Sequence, residues 1–288
     1  MFFDDASHSK KNQINYANQS ASHAKFGLRS TLYLAYRDSK ELLTKHLFQR
    51  SLKTTYRLLD YGCGAGLSTS IYAQIIRDEG YGVEIIGADI NDDNLHNARI
   101  KMPDETFVKV DHEQSIEYLG KFDLIICNFV LVEHPYASML EIIKQLRPLL
   151  EESGVLITTN TTRQAYKSSN RWYSLNNNFV ENMPHEPKGS KLIISDDQTV
   201  SLAINDPEKK EQLFQFFDFF HSGRAYRRAY AESGLELIQT HKPVGTVKDY
   251  IPWLSEMEAS PYKIHVLYPN RSYLKSAHEE KMEGGLTT

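Results

Sequence analysis

The chain has 288 residues, 41% of them hydrophobic and 24% charged, enough for one α/β domain with a large core and some additions. A formal net charge of -4 without any run of basic residues excludes a general attraction to nucleic acid or acidic membranes. No apolar stretch approaches bilayer-spanning length, the opening Met-Phe-Phe-Asp-Asp lacks the order of a secretory leader, and Cys63 and Cys127 make no disulfide framework, so a reducing cytoplasm is the expected compartment.

Residues 1 to about 25 are polar and without periodicity, and the first dozen are expected to be mobile. Leu32, Leu34, Ala35, Leu42, Leu43 and Leu47 then suit one or two helices over 31–47. The stretch 57–70 reads Arg-Leu-Leu-Asp-Tyr-Gly-Cys-Gly-Ala-Gly-Leu-Ser-Thr-Ser. Apolar residues lead into Asp60, glycines follow at 62, 64 and 66, and helical periodicity runs over 67–76: a buried strand, a glycine turn and a helix. Glycines let the backbone pass close to a ligand, and a helix start offers unpaired N–H groups and partial positive charge. Such a turn suits an anionic, nucleotide-like ligand. A dinucleotide fold would place its third glycine one position later, as G-x-G-x-x-G. The carboxylate two positions before Gly62 would also repel a pyrophosphate while favouring an ammonium group.

The pattern Asp60-x-Gly62-x-Gly64-x-Gly66 resembles the class I S-adenosylmethionine-dependent methyltransferases. The resemblance implies that this loop, with Cys63 inside it, holds the methionine part of the cofactor S-adenosylmethionine, Asp60 lying near its amino group directly or through water. It also implies a helical lid within 1–50, over the cofactor, with Tyr16, Phe26, Tyr33 and Tyr36 as candidate lid aromatics. Packing onto the core is the alternative for each. The cofactor-binding core would occupy 51–160.

Residues 83–88 form a short β-rich run that ends at Asp89, with Ile90 next and Asn91-Asp92-Asp93-Asn94 opening a helix over Leu95, Ala98 and Ile100. An acid at the end of the second strand is placed to accept hydrogen bonds from both ribose hydroxyls, and a turn or cap role is the alternative. Ile90 joins the same cofactor set. The third strand is expected at 106–110; by resemblance Asp111 and His112 after it contact the adenine, or else they are solvated loop residues.

The run 122–127 is nearly all apolar, as a central parallel strand should be, and Asn128 at its mouth completes the candidate cofactor contacts. Phe129-Val130-Leu131-Val132-Glu133-His134 follows, then a helix with Met139, Leu140, Ile142, Ile143 and Leu146, then Arg147-Pro148-Leu149-Leu150, Gly154 and a strand over 155–159. This order resembles the family's small-molecule branch, with its Leu-Glu-His-like segment after the fourth strand and its Leu-(Lys/Arg)-Pro-x-x-x-Gly turn before the fifth. Enzymes that methylate exocyclic base amines carry Asn/Asp-Pro-Pro-aromatic where this chain has Asn128-Phe129-Val130-Leu131. Only Asn128 and Glu133 stand where a metal-assisted catechol methyltransferase gathers oxygen ligands, so no metal is expected.

Beyond Asn160 the stretch 161–191 is polar and aromatic, and 191–195 with 199–203 reads as a hairpin. An insert here lies at the carboxyl edge of the sheet, where open α/β folds bind ligands, so 161–212 is the expected substrate cap. A surface elaboration or a homodimer contact is the alternative. The aromatic run 212–233 is expected to be a helix broken near Gly223. Residues 213–274 complete the core, with the sixth strand at 235–239 and, by resemblance, an antiparallel last strand at 262–268. The tail 275–288 is expected to be disordered. The fold class is therefore α/β, a Rossmann-like, doubly wound, seven-stranded and mostly parallel sheet.

The resemblance implies methyl transfer to oxygen, nitrogen or carbon of a small, aromatic or heterocyclic metabolite. A sulfonium methyl is already electrophilic, so in-line placement and exclusion of water are the chief tasks. His134 and His221 are candidate bases, with a structural hydrogen bond the alternative for each, and Tyr16 or Tyr166 would orient a substrate. Tyr166, Trp172, Phe217 and Arg224 are the candidate substrate contacts. Two other readings stay open: a methyltransferase of protein or RNA, if Arg224, Arg227 and Arg228 share an exposed face with Arg163 and Arg171, and a cofactor-binding regulatory protein without catalysis.

Overall fold

Short apolar runs bounded by turns become strands, and amphipathic runs between them become the covering helices. The structure, a computed structural model, describes residues 28–111, 114–167, 169–176, 194–205 and 212–270. Tyr16, Phe26, His112, the 191–193 arm of the expected hairpin and the tail 275–288 lie outside the described residues.

In chain order the strands are β1 (Thr55–Tyr61), β2 (Gly82–Asp89), β3 (Thr106–Lys109), β4 (Phe122–Asn128), β5 (Leu150–Thr161), β6 (Leu175–Asn176), β7 (Thr199–Asn205), β8 (Gln212–Phe219), β9 (Leu235–His241) and β10 (Tyr262–Pro269). The α-helices are α1 (Tyr33–Tyr36), α2 (Ser39–Leu43), α3 (Leu67–Asp78), α4 (Asp92–Lys101), α5 (Tyr136–Leu146) and α6 (Gly223–Glu232). The main sheet has seven strands in the order β3-β2-β1-β4-β5-β10-β9. Neighbours from β3 to β5 pair in parallel, whereas β10 is antiparallel to both β5 and β9. The direction of winding reverses between β1 and β4, and that crevice at the carboxyl ends is where folds of this kind take their ligands.

Every residue of β4 is buried, the signature of a central strand covered on both faces. One face carries Leu58, Leu124, Ile126, Ile157 and Ile264 against Leu34, Leu43 and Tyr72 of α1, α2 and α3. The other carries Leu59, Ile125, Leu156 and Leu267 against Met139, Ile143 and Tyr226 of α5 and α6. Each fully buried Leu or Ile contributes about 1.5–3 kcal/mol, so these two layers dominate the stability of the sheet.

The segment before β1 is tied to the end of β9 and to the loop between β9 and β10. Thr31 donates from Oγ1 to Glu256 Oε1 at 2.7 Å, His241 Nε2 meets Asp38 Oδ2 at 2.6 Å, and Arg37 reaches Asp249 at 3.2 Å.

A second, three-stranded sheet has the order β6-β7-β8, antiparallel throughout. One expectation is corrected here. Among the described residues β7 pairs with β6 and β8, the 191–193 arm lying outside them, and the expected helix over 212–233 is instead a strand followed by α6. Gln-Leu-Phe-Gln-Phe-Phe-Asp-Phe is rich in aromatics, a residue type that favours a pleated strand. The true helix start is Ser222, whose hydroxyl accepts from the Ala225 N–H at 3.2 Å.

Candidate active site

The turn between β1 and α3 holds Gly62, Gly64 and Gly66 at φ 75°, 52° and 79°. All three are in the left-handed region, where only glycine sits without strain. The Gly62 and Cys63 N–H groups donate to the Ala88 carbonyl at 2.7 and 3.0 Å, which fastens the turn to β2. The glycines have different surroundings. A Cβ on Gly62 would meet Val130 Cγ2 at 2.2 Å, one on Gly66 would touch Ala98 of α4 at 3.4 Å, and one on Gly64 would meet nothing within 4 Å. Gly64 is the open position of the turn.

Asp89, at the end of β2, is buried and faces that opening. Its Oδ2 accepts from the Gly64 N–H and its Oδ1 from the Asn91 N–H, both at 2.8 Å. Each oxygen retains capacity for a further donor. Burial raises the carboxyl pKa against the opposing pull of these hydrogen bonds. Asn91 caps α4 by accepting from the Asp93 and Asn94 N–H groups. Ile90 beside it is half-buried and Asp111 exposed. Cys63 is buried and its thiol pushed well up by that burial.

Asp60 on β1 is fully buried. Ser68 and Thr69, in the first turn of α3, donate their hydroxyls to its Oδ2 at 2.6 Å each, while Oδ1 has no hydrogen-bond partner among the described residues. Burial pushes this carboxyl up to about 6. No side chain caps the N-terminus of α3, which begins directly after Gly66.

Across the crevice, Asn128 ends β4 with neither amide atom hydrogen-bonded among the described residues. It adjoins Tyr36 of α1 and Tyr72 of α3, and the Tyr36 hydroxyl is raised by burial and then by Tyr72, Asp60 and Tyr262. The Phe129 ring stands edge-on to Tyr262 at 5.3 Å. An unpartnered acceptor on Asp60, an open glycine, a carboxylate with spare acceptor capacity and a free amide together fit an amino-acid-substituted nucleoside.

The candidate bases are joined to each other. His221 Nε2 donates to the His134 carbonyl at 2.8 Å, and the His221 carbonyl accepts from Lys263 Nζ at 3.0 Å. Burial lowers the His221 pKa, and its hydrogen bond ties the ring to the segment after β4. The candidate substrate contacts are dispersed. Tyr166 is buried and donates to Asp218 at 2.6 Å, Trp172 donates to the Ala165 carbonyl at 3.2 Å, Phe217 is half-buried on β8, and Arg224 is exposed on α6. Sequence reasoning missed Asp218, Tyr72 and Thr159. The one legible signal was an acid set among the phenylalanines of β8.

Residues 32–240 match the model of the methyltransferase domain family. The chain belongs to that family. The Acinetobacter baylyi ribosomal RNA small subunit methyltransferase G is 31% identical over 135 residues, 42% of this chain and 58% of that protein. A ubiquinone biosynthesis O-methyltransferase from Ruegeria sp. is 32% identical over 126 residues, 40% of this chain and 47% of that protein. The methyltransferase domain thus spans about half the length of the curated relatives it matches. Among solved structures, an S-adenosylmethionine-dependent methyltransferase from Clostridium acetobutylicum superposes with a TM-score of 0.53 at 14% identity, over 90% of this chain and 99% of that one. The fold of this methyltransferase domain is therefore that of the class I S-adenosylmethionine-dependent enzymes, and S-adenosylmethionine is the cofactor of the family. Among the described residues no helix is long and apolar enough to cross a membrane.

Proposed function

We propose that this protein transfers a methyl group from S-adenosylmethionine to a small-molecule acceptor. The observation that carries the reading is the unpartnered Asp60 Oδ1 beside the open Gly64 and the carboxylate of Asp89. In this reading Asp60 receives the amino group of the cofactor, the N-terminus of α3 its carboxylate, and Asp89 its ribose hydroxyls, with Ile90 and Asp111 toward the base. The cofactor, when bound, supplies an electrophilic methyl, so the protein's share of the chemistry is orientation and exclusion of water. Asn128, beside Tyr36 and Tyr72, is suited to that share, because its amide lies at the mouth of β4 next to two tyrosine hydroxyls.

Calorimetric titration with S-adenosylmethionine and S-adenosylhomocysteine tests the reading. Saturable binding of both is expected, and Asp89→Ala should weaken it about ten- to a hundredfold, the worth of hydrogen bonds to a charged group. A wild-type protein that binds neither compound would end the proposal.

A second reading, an RNA acceptor, rests on Arg224, Arg227 and Arg228, all exposed on α6, although Arg228 is paired with Glu232 at 2.6 Å. It requires RNA affinity that falls steeply with added salt and falls further on Arg224→Glu. Retention of a short RNA in filter binding, unchanged by that substitution, would dismiss the arginine face.

A further inference from the structure

Unpartnered buried polar groups continue in a line away from the glycine turn. Asn128 and Thr159 are register partners on β4 and β5, and neither the Asn128 amide nor the Thr159 hydroxyl has a hydrogen-bond partner among the described residues. Thr161 stands two residues further along β5, on the same face by strand alternation. Its hydroxyl donates to Asp218 Oδ2 of β8 at 3.3 Å, and Tyr166 donates to the same oxygen at 2.6 Å. Oδ1 of Asp218 has no partner among the described residues, and the residue is fully buried.

The setting of this carboxyl lacks a countercharge. Among the described residues its hydrogen-bond partners are the two hydroxyls alone, and no Lys, Arg or His pairs with it. Lys263 is engaged elsewhere, over the Tyr226 ring at 4.1 Å and on the His221 carbonyl. Tyr166, Tyr226 and Tyr262 surround the acid. Burial raises all three of their hydroxyls, and Asp218 is among the charges that raise them further. The Tyr226 hydroxyl is itself unpartnered. Tyr262 is the register partner of Thr161 and packs on Phe129, which leads back to Asn128.

A lone carboxylate in such surroundings is costly, and burial pushes Asp218 up to about 7. An incoming ammonium would supply the missing charge, and tyrosine faces favour a cation. Alcohols or carboxylates would leave that charge unmatched.

We propose that Asp218, Tyr166, Tyr226 and Tyr262 bind a protonated amine carried by the methyl acceptor, whose reacting end extends past Thr159 to Asn128. This rests on the methyltransferase reading above. The acceptor is thus an amine-bearing small molecule held at one end by the β8 carboxyl and methylated at the other. Asp218 is a binding residue in this scheme rather than a base.

The test measures transfer of labelled methyl from S-adenosylmethionine to a library of arylalkylamines bearing a phenol or second nitrogen, each matched with its des-amino and carboxylate isosteres. Methylation confined to the amine members is expected. Asp218→Asn should raise KM about ten- to a hundredfold and change kcat less, while S-adenosylhomocysteine affinity stays the same. Tyr226→Phe, which removes only an unpartnered hydroxyl, serves if the first variant fails to fold, and a severalfold rise in KM is expected. Equal transfer to the isosteres, a KM unmoved by either variant, or silence of the whole library in a protein that binds S-adenosylhomocysteine would overturn the inference alone. Failure to bind S-adenosylhomocysteine would remove the methyltransferase reading and this one with it.

Discussion

Asp60 carries a pH signature that its two hydroxyl donors cannot remove. Its folded carboxyl lies at about 6, above the ordinary value near 4, because burial outweighs the hydrogen bonds from Ser68 and Thr69. A raised acid favours the folded state fully below about pH 4, and that contribution is lost as pH rises through about 6. At neutral pH the free protein therefore holds an unmatched charge, which an ammonium group would match. Affinity for S-adenosylhomocysteine should be about tenfold weaker at pH 5 than at pH 7, and Asp60→Asn should flatten the profile. A wild-type affinity independent of pH across that range would show that Asp60 does not meet the amino group. At this scale the sequence was most informative where the geometry is local. Asp60, the three glycines and Asp89 meet within one turn and its neighbouring strand, whereas the partners of Tyr166 and Tyr36 come from β8 and from α3. No spacing rule joins residues so far apart.

Among the elements, α1 and α2 depend on partners outside themselves. Helices of four and five residues are too short to persist alone, and the side chains of Thr31, Arg37 and Asp38 anchor them to the end of β9 and the β9–β10 loop. Burial raises the Asp38 pKa, but hydrogen bonds from His241 and Arg37 outweigh it and hold the carboxyl well below its usual range. A depressed acid stabilises above its unfolded value near 4, and that stability fades only as pH falls below it. Asp38→Asn should speed amide exchange in 33–48 about two- to fivefold while β4 is unaffected, consistent with a partly exposed ion pair. Exchange unchanged across 33–48 would show that Thr31 and packing suffice. The helical reading of 31–47 came from apolar spacing, but its anchors did not, since they lie some 200 residues onward. The strand β8 was misread for another reason: phenylalanines on both sides of the chain obscure the period-two signal, and only pairing with β7 resolves it.

For the molecule as a whole, the alternation of strand and helix through β5 was legible because parallel pairing demands crossover helices. The small sheet was not, being built from segments whose pairing depends on long-range contacts. The antiparallel course of β10 was expected only through resemblance, and its place between β5 and β9 has a consequence for biosynthesis. Among the described residues of the main sheet, β9 has no neighbour except β10, and β5 has no second neighbour until β10 arrives. A chain ending at 261 should leave two bare strand edges and collect as aggregate, measurable as loss of soluble protein after centrifugation. Full solubility of that truncation would contradict the argument. During translation the same two edges stay open until residue 269 has cleared the ribosomal tunnel, so the nascent domain closes only after its last strand emerges.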